Sequence, residues 1–176
     1  MSGAVVWFTG LPSSGKSTLA EALRQALSRA GRPHCVLDGD AVRTALLPPP
    51  GYDPAGRADF YETLARLSAL LARQGLIVLV PATAHRRAWR ARARALSPRF
   101  VEVFLESSYE VCAARDTKGL YAAAKEGQLT EVPGADIEYE PPAEPEVRAS
   151  GGEDEEAVRQ ILEVLEGVRG AASMPR

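Results

Sequence analysis

The chain has 176 residues, of which 45% are hydrophobic and 25% charged, a balance typical of one globular domain rather than a disordered or fibrous chain. Its formal net charge of −2 excludes the overall basic character of many nucleic-acid and membrane-surface proteins. The N-terminal apolar run has no basic flank, and no apolar stretch approaches the roughly 20 residues that cross a bilayer. We therefore expect a cytoplasmic protein that binds neither nucleic acid nor a membrane.

Strands and helices are predicted to alternate along the chain. The strands, each a short apolar run, are predicted at 4–9, 34–37, 76–80 and 100–105. The helices are predicted at 16–30, 58–74, 86–96, 109–115, 120–126 and 153–165. Such alternation predicts a three-layer α/β fold, a mostly parallel sheet with helices on both faces and a ligand site along one edge.

The domain boundaries follow from composition. We expect one domain over residues 1–166 and a flexible tail over 167–176. The stretch 133–152 is rich in Pro, Glu and Gly, and we interpret it as a surface excursion from this domain.

A phosphate-binding loop follows the first strand. Residues 10–17 read GLPSSGKS and match G-x-x-x-x-G-K-[ST] at every fixed position, between an apolar strand and a long helix. The glycines let backbone N–H groups point at phosphate oxygens, and the helix N-terminus adds partial positive charge. Lys16 is expected to reach the β- and γ-phosphates of ATP, and Ser17 to offer its hydroxyl to Mg²⁺. The predicted ATP-binding residues of this loop are Gly10, Pro12, Ser13, Ser14, Gly15, Lys16, Ser17 and Thr18.

The end of the third strand narrows the class of P-loop protein. The strand 76–80 leads into Pro81-Ala82-Thr83, without the Asp or Glu through which motor ATPases and GTPases generally hold their metal. The sequence also lacks the Asn-Lys-x-Asp motif that reads guanine. These features favour a small-molecule kinase.

An acidic pair ends the second strand, at the sheet edge where ligands are expected. In Asp38-Gly39-Asp40, a carboxylate can orient an attacking hydroxyl, accept its proton or hold a water on Mg²⁺. Arg43 lies three residues after Asp40, on the same predicted helical face, and could bind an anionic substrate. The alternative is an Asp that caps a helix and an Arg in solvent. We predict Asp40 and Lys16 as catalytic residues.

Taken together, these segments resemble the adenylylsulfate kinase family, whose members phosphorylate the 3′-hydroxyl of adenosine 5′-phosphosulfate (APS). The resemblance covers nearly the whole chain, and the segments that carry it are 10–18, 37–43, 75–80, 100–121 and 139–142. It implies a P-loop NTPase fold, ATP and Mg²⁺ as ligands, and a homodimer that serves sulfate activation.

The resemblance also implies roles for individual residues. Asp40 would act as the base or as a metal-linked acid beside Ser17, and Arg115 would lie against the ATP adenine. A mobile lid over about 115–145 would close over both ligands and exclude water. The residues that would bind the acceptor are Asp38, Arg43, Tyr52, Arg57, Lys118 and Leu120.

The acceptor half departs from the family pattern. Positions that usually hold an Asn and an Arg pair are occupied by Phe60, Glu62 and Thr63, the second Ser after the third strand is Ala84, and a substrate-stacking Phe is Val132. Each lost buried polar partner costs about 1–3 kcal/mol. Three hypotheses therefore stand: a kinase for APS, a related kinase for another nucleotide-like or small anionic hydroxyl compound, and a nucleotide-binding regulatory module without turnover.

The helix 86–96 is dense in arginine. With His85 it carries arginines at 86, 87, 90, 92 and 94, which we interpret as a solvated basic face. The alternative is that Arg86 or Arg87 offers a contact to an anion. Trp89, on the same helix, is expected to pack within the protein or against a dimer partner rather than on a substrate.

Overall fold

A parallel sheet of five strands organises the chain, and the computed structural model describes residues 3–167. The strands are β1 (Ala4–Thr9), β2 (His34–Val36), β3 (Ile77–Pro81), β4 (Phe100–Leu105) and β5 (Val147–Ala149). They lie in the order β2-β3-β1-β4-β5, and every neighbouring pair is parallel. Of the predicted flexible tail, residues 168–176 lie outside the described part of the chain.

Helices cover both faces of this sheet. They are α1 (Lys16–Arg29), α2 (Gly39–Ala45), α3 (Pro54–Arg73), α4 (Arg87–Leu96), α5 (Tyr109–Arg115), α6 (Leu120–Lys125) and α7 (Glu155–Glu166). α1 and α7 pack on one face, and α3 and α4 pack on the other. The predicted three-layer α/β fold of the P-loop class is confirmed. None of the helices described is long and apolar enough to cross a membrane.

The central strand β1 is buried on both faces and therefore reads as a continuous apolar run. Val6 and Phe8 face the core formed by α1 and α7, whereas Val5 and Trp7 face the core formed by α3 and α4. The indole Nε1 of Trp7 donates a hydrogen bond to the carbonyl of Ala82, 3.1 Å away, just beyond β3. The loops that follow β1 and β3 consequently emerge side by side at the carboxyl edge of the sheet.

The interpretation of 133–152 as a surface excursion is wrong at its C-terminal end. This segment contains β5, in which Val147 and Ala149 are each 2% exposed and pair with Val103 and Leu105 of β4. Arg148 between them points to solvent, so this strand has only two apolar residues, too few to predict a strand from the sequence.

The interpretation of α4 as a solvated basic face is wrong for Arg90, whereas the arginines at 86, 87, 92 and 94 are exposed as expected. Arg90 is 2% exposed, and its Nε donates to Oε1 of Glu102 on β4 at 2.7 Å. Arg92 pairs with a glutamate of α3, and Arg94 with Glu146 just before β5. Trp89 packs within the chain as expected, stacked on a tyrosine ring of α3 with 4.6 Å between centroids.

Candidate active site

A cleft of about 1020 Å³ lies at the carboxyl edge of the sheet. Its walls come from the loop after β1, the starts of α2 and α3, the loop after β3, and the segments 115–133 and 150–154. Gly10 and Ser14 do not line the cleft, but all other predicted site residues do: Pro12, Ser13, Gly15, Lys16, Ser17, Thr18, Asp38, Asp40, Arg43, Tyr52, Arg57, Arg115, Lys118 and Leu120. The predicted ATP half and acceptor half thus share one cavity.

The loop between β1 and α1 has the backbone expected of a phosphate-binding loop. Ser13 and Gly15 adopt left-handed conformations, with φ of 63° and 98°. A side chain at Gly15 would also meet the backbone nitrogen of Gly152 at 2.5 Å, so the loop after β5 packs closely here. Among the described residues no side chain caps α1 and its first turn has no acid, which leaves N–H groups available to an anion.

The ammonium group of Lys16 lies inside this loop. It donates to the carbonyls of Gly10 and Leu11, at 3.1 and 2.8 Å. Burial, with a smaller contribution from the charge of Lys118, lowers the pKa of Lys16 from 10.5 to about 7. A phosphate group would offer this lysine a stronger, oppositely charged partner than two carbonyls.

The two predicted aspartates have different partners. Asp38 caps α2 by accepting hydrogen bonds from the backbone of Asp40 and Ala41, and its other oxygen accepts from the Ser17 hydroxyl at 3.1 Å. Helix capping and a place in the cleft are therefore compatible at Asp38. Asp40 is exposed and forms an ion pair with Lys118 from the predicted lid. The carboxylate in contact with Ser17 is thus Asp38.

The alternative of a solvated Arg43 is wrong, because this residue is only 7% exposed. Its Nη1 donates to the carbonyls of Pro50 and Gly51 at 2.9 and 2.8 Å. Its guanidinium carbon lies 4.2 Å from the ring centroid of Tyr52 and 4.0 Å from that of Phe60. Arg43 is therefore a fixed positive charge between two aromatic rings on the cleft wall.

Arg57 and His85 line the cleft on its predicted acceptor side. Arg57 is 9% exposed and donates to the carbonyl of Glu131 at 2.5 Å, which joins α3 to the predicted lid. His85 is 8% exposed, and burial, followed by the charge of Arg57, lowers its pKa from 6.5 to about 4. Its imidazole is therefore neutral near pH 7.

The positions that depart from the family pattern divide into two groups. Phe60, Ala84 and Val132 are buried at or near the acceptor side, at 2%, 0% and 3% exposure. Glu62 lies outside the cleft and pairs with two arginines on the helical surface. Thr63 does not line the cleft either and donates to a backbone carbonyl of its own helix.

Residues 115–133 contact the phosphate-binding loop directly. The hydroxyl of Tyr121 donates to the carbonyl of Pro12 at 2.8 Å, and the backbone N–H of Thr117 donates to Ser13 Oγ at 3.2 Å. A small apolar cluster of Cys112, Tyr121 and Val132 packs with Leu11 of the loop. These contacts attach the predicted lid to the phosphate site.

Sequence reasoning missed the segment 150–154, which lines the cleft beside the phosphate-binding loop. Gly152 fits there because a side chain would meet Cβ of Thr18 at 2.7 Å. The sequence feature that could have indicated this close approach is the Gly151-Gly152 pair shortly before the last helix. It becomes informative only when β5 is recognised as the strand that leads into it.

The donor groups present suit magnesium held together with a nucleotide. In the described range 3–167, no cluster of three or more His, Cys, Asp or Glu side chains could hold a metal by itself. A Ser17 hydroxyl beside an Asp38 carboxylate nevertheless matches Mg²⁺, which binds proteins through one or two oxygen ligands, phosphates and water.

Comparison with known proteins gives a consistent result. The adenylylsulphate kinase family model matches residues 2–150. An adenylyl-sulfate kinase of Yersinia pestis is 40% identical over 168 residues, which cover 94% of this chain and 79% of that protein. One from Gloeothece citriformis is 41% identical over 93% of this chain and 94% of its own length.

A solved structure extends this similarity to three dimensions. The APS kinase of Mycobacterium tuberculosis, solved in complex with AMPPNP and APS, is 37% identical to this chain. The two superpose with a TM-score of 0.87 over 94% of this chain and 98% of that one. The sequence match and the shared fold lead to one conclusion: the chain belongs to the adenylylsulphate kinase family.

Proposed function

We propose that this chain transfers the γ-phosphoryl group of ATP to the 3′-hydroxyl of APS. The observation that carries the proposal is one cleft with the Lys16 loop at one end and Asp40, Arg43 and Arg57 at the other. Membership in a family with a member solved with AMPPNP and APS supports both ligands. The arrangement suits in-line transfer, because holding two reactants in register can contribute about 7–11 kcal/mol.

On the ATP side, the backbone amides of 10–18 would bind the phosphates, and the Lys16 ammonium would leave its two carbonyls for the γ-phosphate. Arg115 is exposed on the cleft wall, where it can lie against the adenine. Ser17 and Asp38 would hold magnesium, with Asp40 as a further ligand through water. When bound, Mg²⁺ neutralises charge on the phosphate oxygens.

On the acceptor side, Asp40 would orient the attacking hydroxyl and accept its proton. Its ion pair with Lys118 would have to open, leaving the lysine free to contact a phosphate or sulfate group. Arg43 and Arg57 present buried positive charge suited to the anionic end of APS, and Tyr52 presents an aromatic ring. Leu120 would help the lid, about 115–145, to exclude water.

A related acceptor is the second candidate. Phe60 and Val132 make the acceptor side apolar where the family is expected to have an amide and a larger ring, and Arg43 already binds two carbonyls of its own chain. These features favour a nucleotide-like or small anionic hydroxyl compound with fewer polar contacts than APS.

We further propose a homodimer, on the family resemblance, and light scattering tests this point. We also propose that 1–166 forms a single kinase domain. We place the reaction in the cytoplasm, where ATP is regenerated.

The test is an assay of ADP release with four acceptors: APS, adenosine 5′-monophosphate, shikimate and gluconate. We expect turnover with APS. Asp40→Asn should lower kcat on the order of 100-fold or more, because it removes the general base. The dissociation constant of ATP measured without Mg²⁺ should stay within about twofold, because the proposed roles of Asp40 are toward the acceptor hydroxyl and the metal.

Asp59→Asn is the matched control, because Asp59 is an exposed carboxylate of α3 outside the cleft. It should leave kcat unchanged. Turnover with another acceptor but not with APS would overturn the first candidate in favour of the second. ATP binding with no turnover of any acceptor would instead indicate a regulatory module.

A further inference from the structure

We infer that Arg90 is a positioning residue that fixes the acceptor-side loop 82–85 in its binding conformation. This inference rests on the proposed function for its kinetic readout, but the structural readout below is independent of it. The loop 82–85 follows β3 and contributes Ala82, Thr83 and His85 to the wall of the cleft. Arg90 itself does not line the cleft.

The guanidinium group of Arg90 is buried and uses all three of its nitrogens. Nε donates to Glu102 on β4 at 2.7 Å, Nη1 donates to the carbonyl of Ala84, and Nη2 donates to the carbonyl of Glu140 at 2.6 Å. Two of these partners are backbone carbonyls from separate loops. The ion pair with Glu102 fixes the planar fork to the sheet, and the fork in turn fixes both loops.

The loop needs such an anchor because Ala84 has an unfavourable backbone conformation. Its φ is 41°, in the left-handed region that alanine rarely adopts. Conformations of this kind persist where the surroundings determine them. Here the Ala84 carbonyl accepts from Arg90, and its N–H donates to the hydroxyl of Tyr61 at 3.0 Å.

The same anchor connects the acceptor loop to the segment that ends the lid. The N–H of Glu140 donates to the carbonyl of His85 at 2.8 Å, and its carboxylate accepts from the N–H of Arg87 at 2.7 Å. Next to it, the Tyr139 hydroxyl lies 2.9 Å from Thr9 Oγ1, at the end of β1. Arg90 therefore holds the acceptor wall in register with the strand that leads into the phosphate-binding loop.

The decisive variant is Arg90→Met, which keeps the apolar stem and removes all three donors. With APS as the probe, we expect KM for the acceptor to rise about tenfold or more, because small displacements of positioning groups are costly. KM for ATP should stay within about twofold. Hydrogen exchange of the unliganded protein should be faster at residues 82–85 and 139–140. Arg92→Met, an exposed arginine of the same helix, is the control and should change neither readout.

Two further variants keep the inference falsifiable if Arg90→Met does not fold. Tyr61→Phe removes only the hydroxyl that accepts from Ala84, and should give the same pattern with a smaller rise in acceptor KM. Arg90→Lys should restore part of the loss. A lowered Tm with unchanged acceptor KM and unchanged exchange at 82–85 would show a purely structural role and overturn the inference. If the wild-type protein does not turn over APS, the proposed function fails, and the exchange measurement still decides on Arg90.

Discussion

At the residue scale, Lys16, the proposed phosphate ligand, has an unusual charge state. Burial lowers the pKa of Lys16 to about 7, so the unliganded protein holds a neutral amine here at pH values where an ordinary lysine is charged. Its present partners are two uncharged carbonyls, which stabilise the ammonium less than a phosphate would. Nucleotide binding should therefore raise the pKa of Lys16.

This change predicts proton uptake when ATP binds. At pH 8 most Lys16 side chains are neutral before binding and charged afterwards, so we expect close to one proton taken up per nucleotide. Calorimetric titrations in two buffers with different ionisation enthalpies measure this number directly.

The control for this measurement is Lys16→Arg. Arginine is already protonated at pH 8 before the nucleotide binds. Proton uptake should therefore disappear in this variant, even where it still binds ATP. Proton uptake that persists in Lys16→Arg, or no proton uptake by the wild-type protein, would show that the pKa of Lys16 is not lowered in the unliganded protein.

At the scale of elements, a buried hydrogen bond joins α6, in the proposed lid, to the phosphate-binding loop. Tyr121 is 4% exposed, and its hydroxyl donates to the carbonyl of Pro12 at 2.8 Å. Tyr109 of α5 packs edge-on against this ring, 5.4 Å between centroids, and is 42% exposed. The two neighbouring tyrosines therefore differ in one respect: Tyr121 forms a buried hydrogen bond to the phosphate-binding loop, and Tyr109 contributes only a ring contact.

We expect Tyr121→Phe to weaken ATP binding by about twofold to tenfold, since one neutral hydrogen bond contributes about 0.5–1.5 kcal/mol. Amides of 115–133 should exchange faster in this variant. Isothermal titration and hydrogen exchange test the two effects. Tyr109→Phe keeps the same ring contact and should behave like the wild-type protein; equal effects in both variants would contradict the coupling.

The elements also show which parts of the fold are readable from sequence. β1, the phosphate-binding loop and α1 were predicted almost to the residue, because a buried apolar run, a fixed motif and a long amphipathic helix follow one another. β5 was missed because a three-residue edge strand with Arg148 in its middle has too few apolar positions to show a period. Because β5 was not predicted, the segment 150–154 that follows it was not recognised as part of the cleft.

Side-chain partners from distant elements account for the other errors. Arg90 appeared solvated because its compensating charge, Glu102, lies on β4 and not on the same helix. Arg43 is buried because the Pro-rich loop before α3 folds over it and accepts hydrogen bonds from its guanidinium through two backbone carbonyls. The hydrophobic periodicity of the sequence does not predict the path of such a loop. Sequence predicted a set of site residues, most of which line one cleft, while their hydrogen-bond partners required the fold.

At the scale of the whole molecule, two apolar cores flank the sheet, and a small third cluster joins the lid to the phosphate-binding loop. The acceptor loop lies at the margin of the core formed by α3 and α4, where Ala82 and Ala84 are part of that core. His85 is the next residue and is 8% exposed. Its protonation state is thus linked to unfolding, because folding removes most of the surface of this residue from water and unfolding exposes it again.

This link predicts a loss of stability in mild acid. Burial, then Arg57 and Arg86, lower the pKa of His85 to about 4, whereas an unfolded histidine titrates near 6.5. The unfolded chain therefore takes up the proton first, so the stabilisation is fully present above pH 6.5 and is lost as the pH falls from 6.5 towards 4. The difference between these two pKa values corresponds to a free energy of unfolding on the order of 3 kcal/mol. Urea unfolding at a series of pH values should show a steeper decline in the free energy of unfolding for the wild-type protein than for His85→Gln between pH 6.5 and 5, a window in which few carboxylates titrate.

Parallel curves for the two proteins would mean that His85 is protonated in the folded state, and the neutral imidazole on the acceptor wall would have to be abandoned.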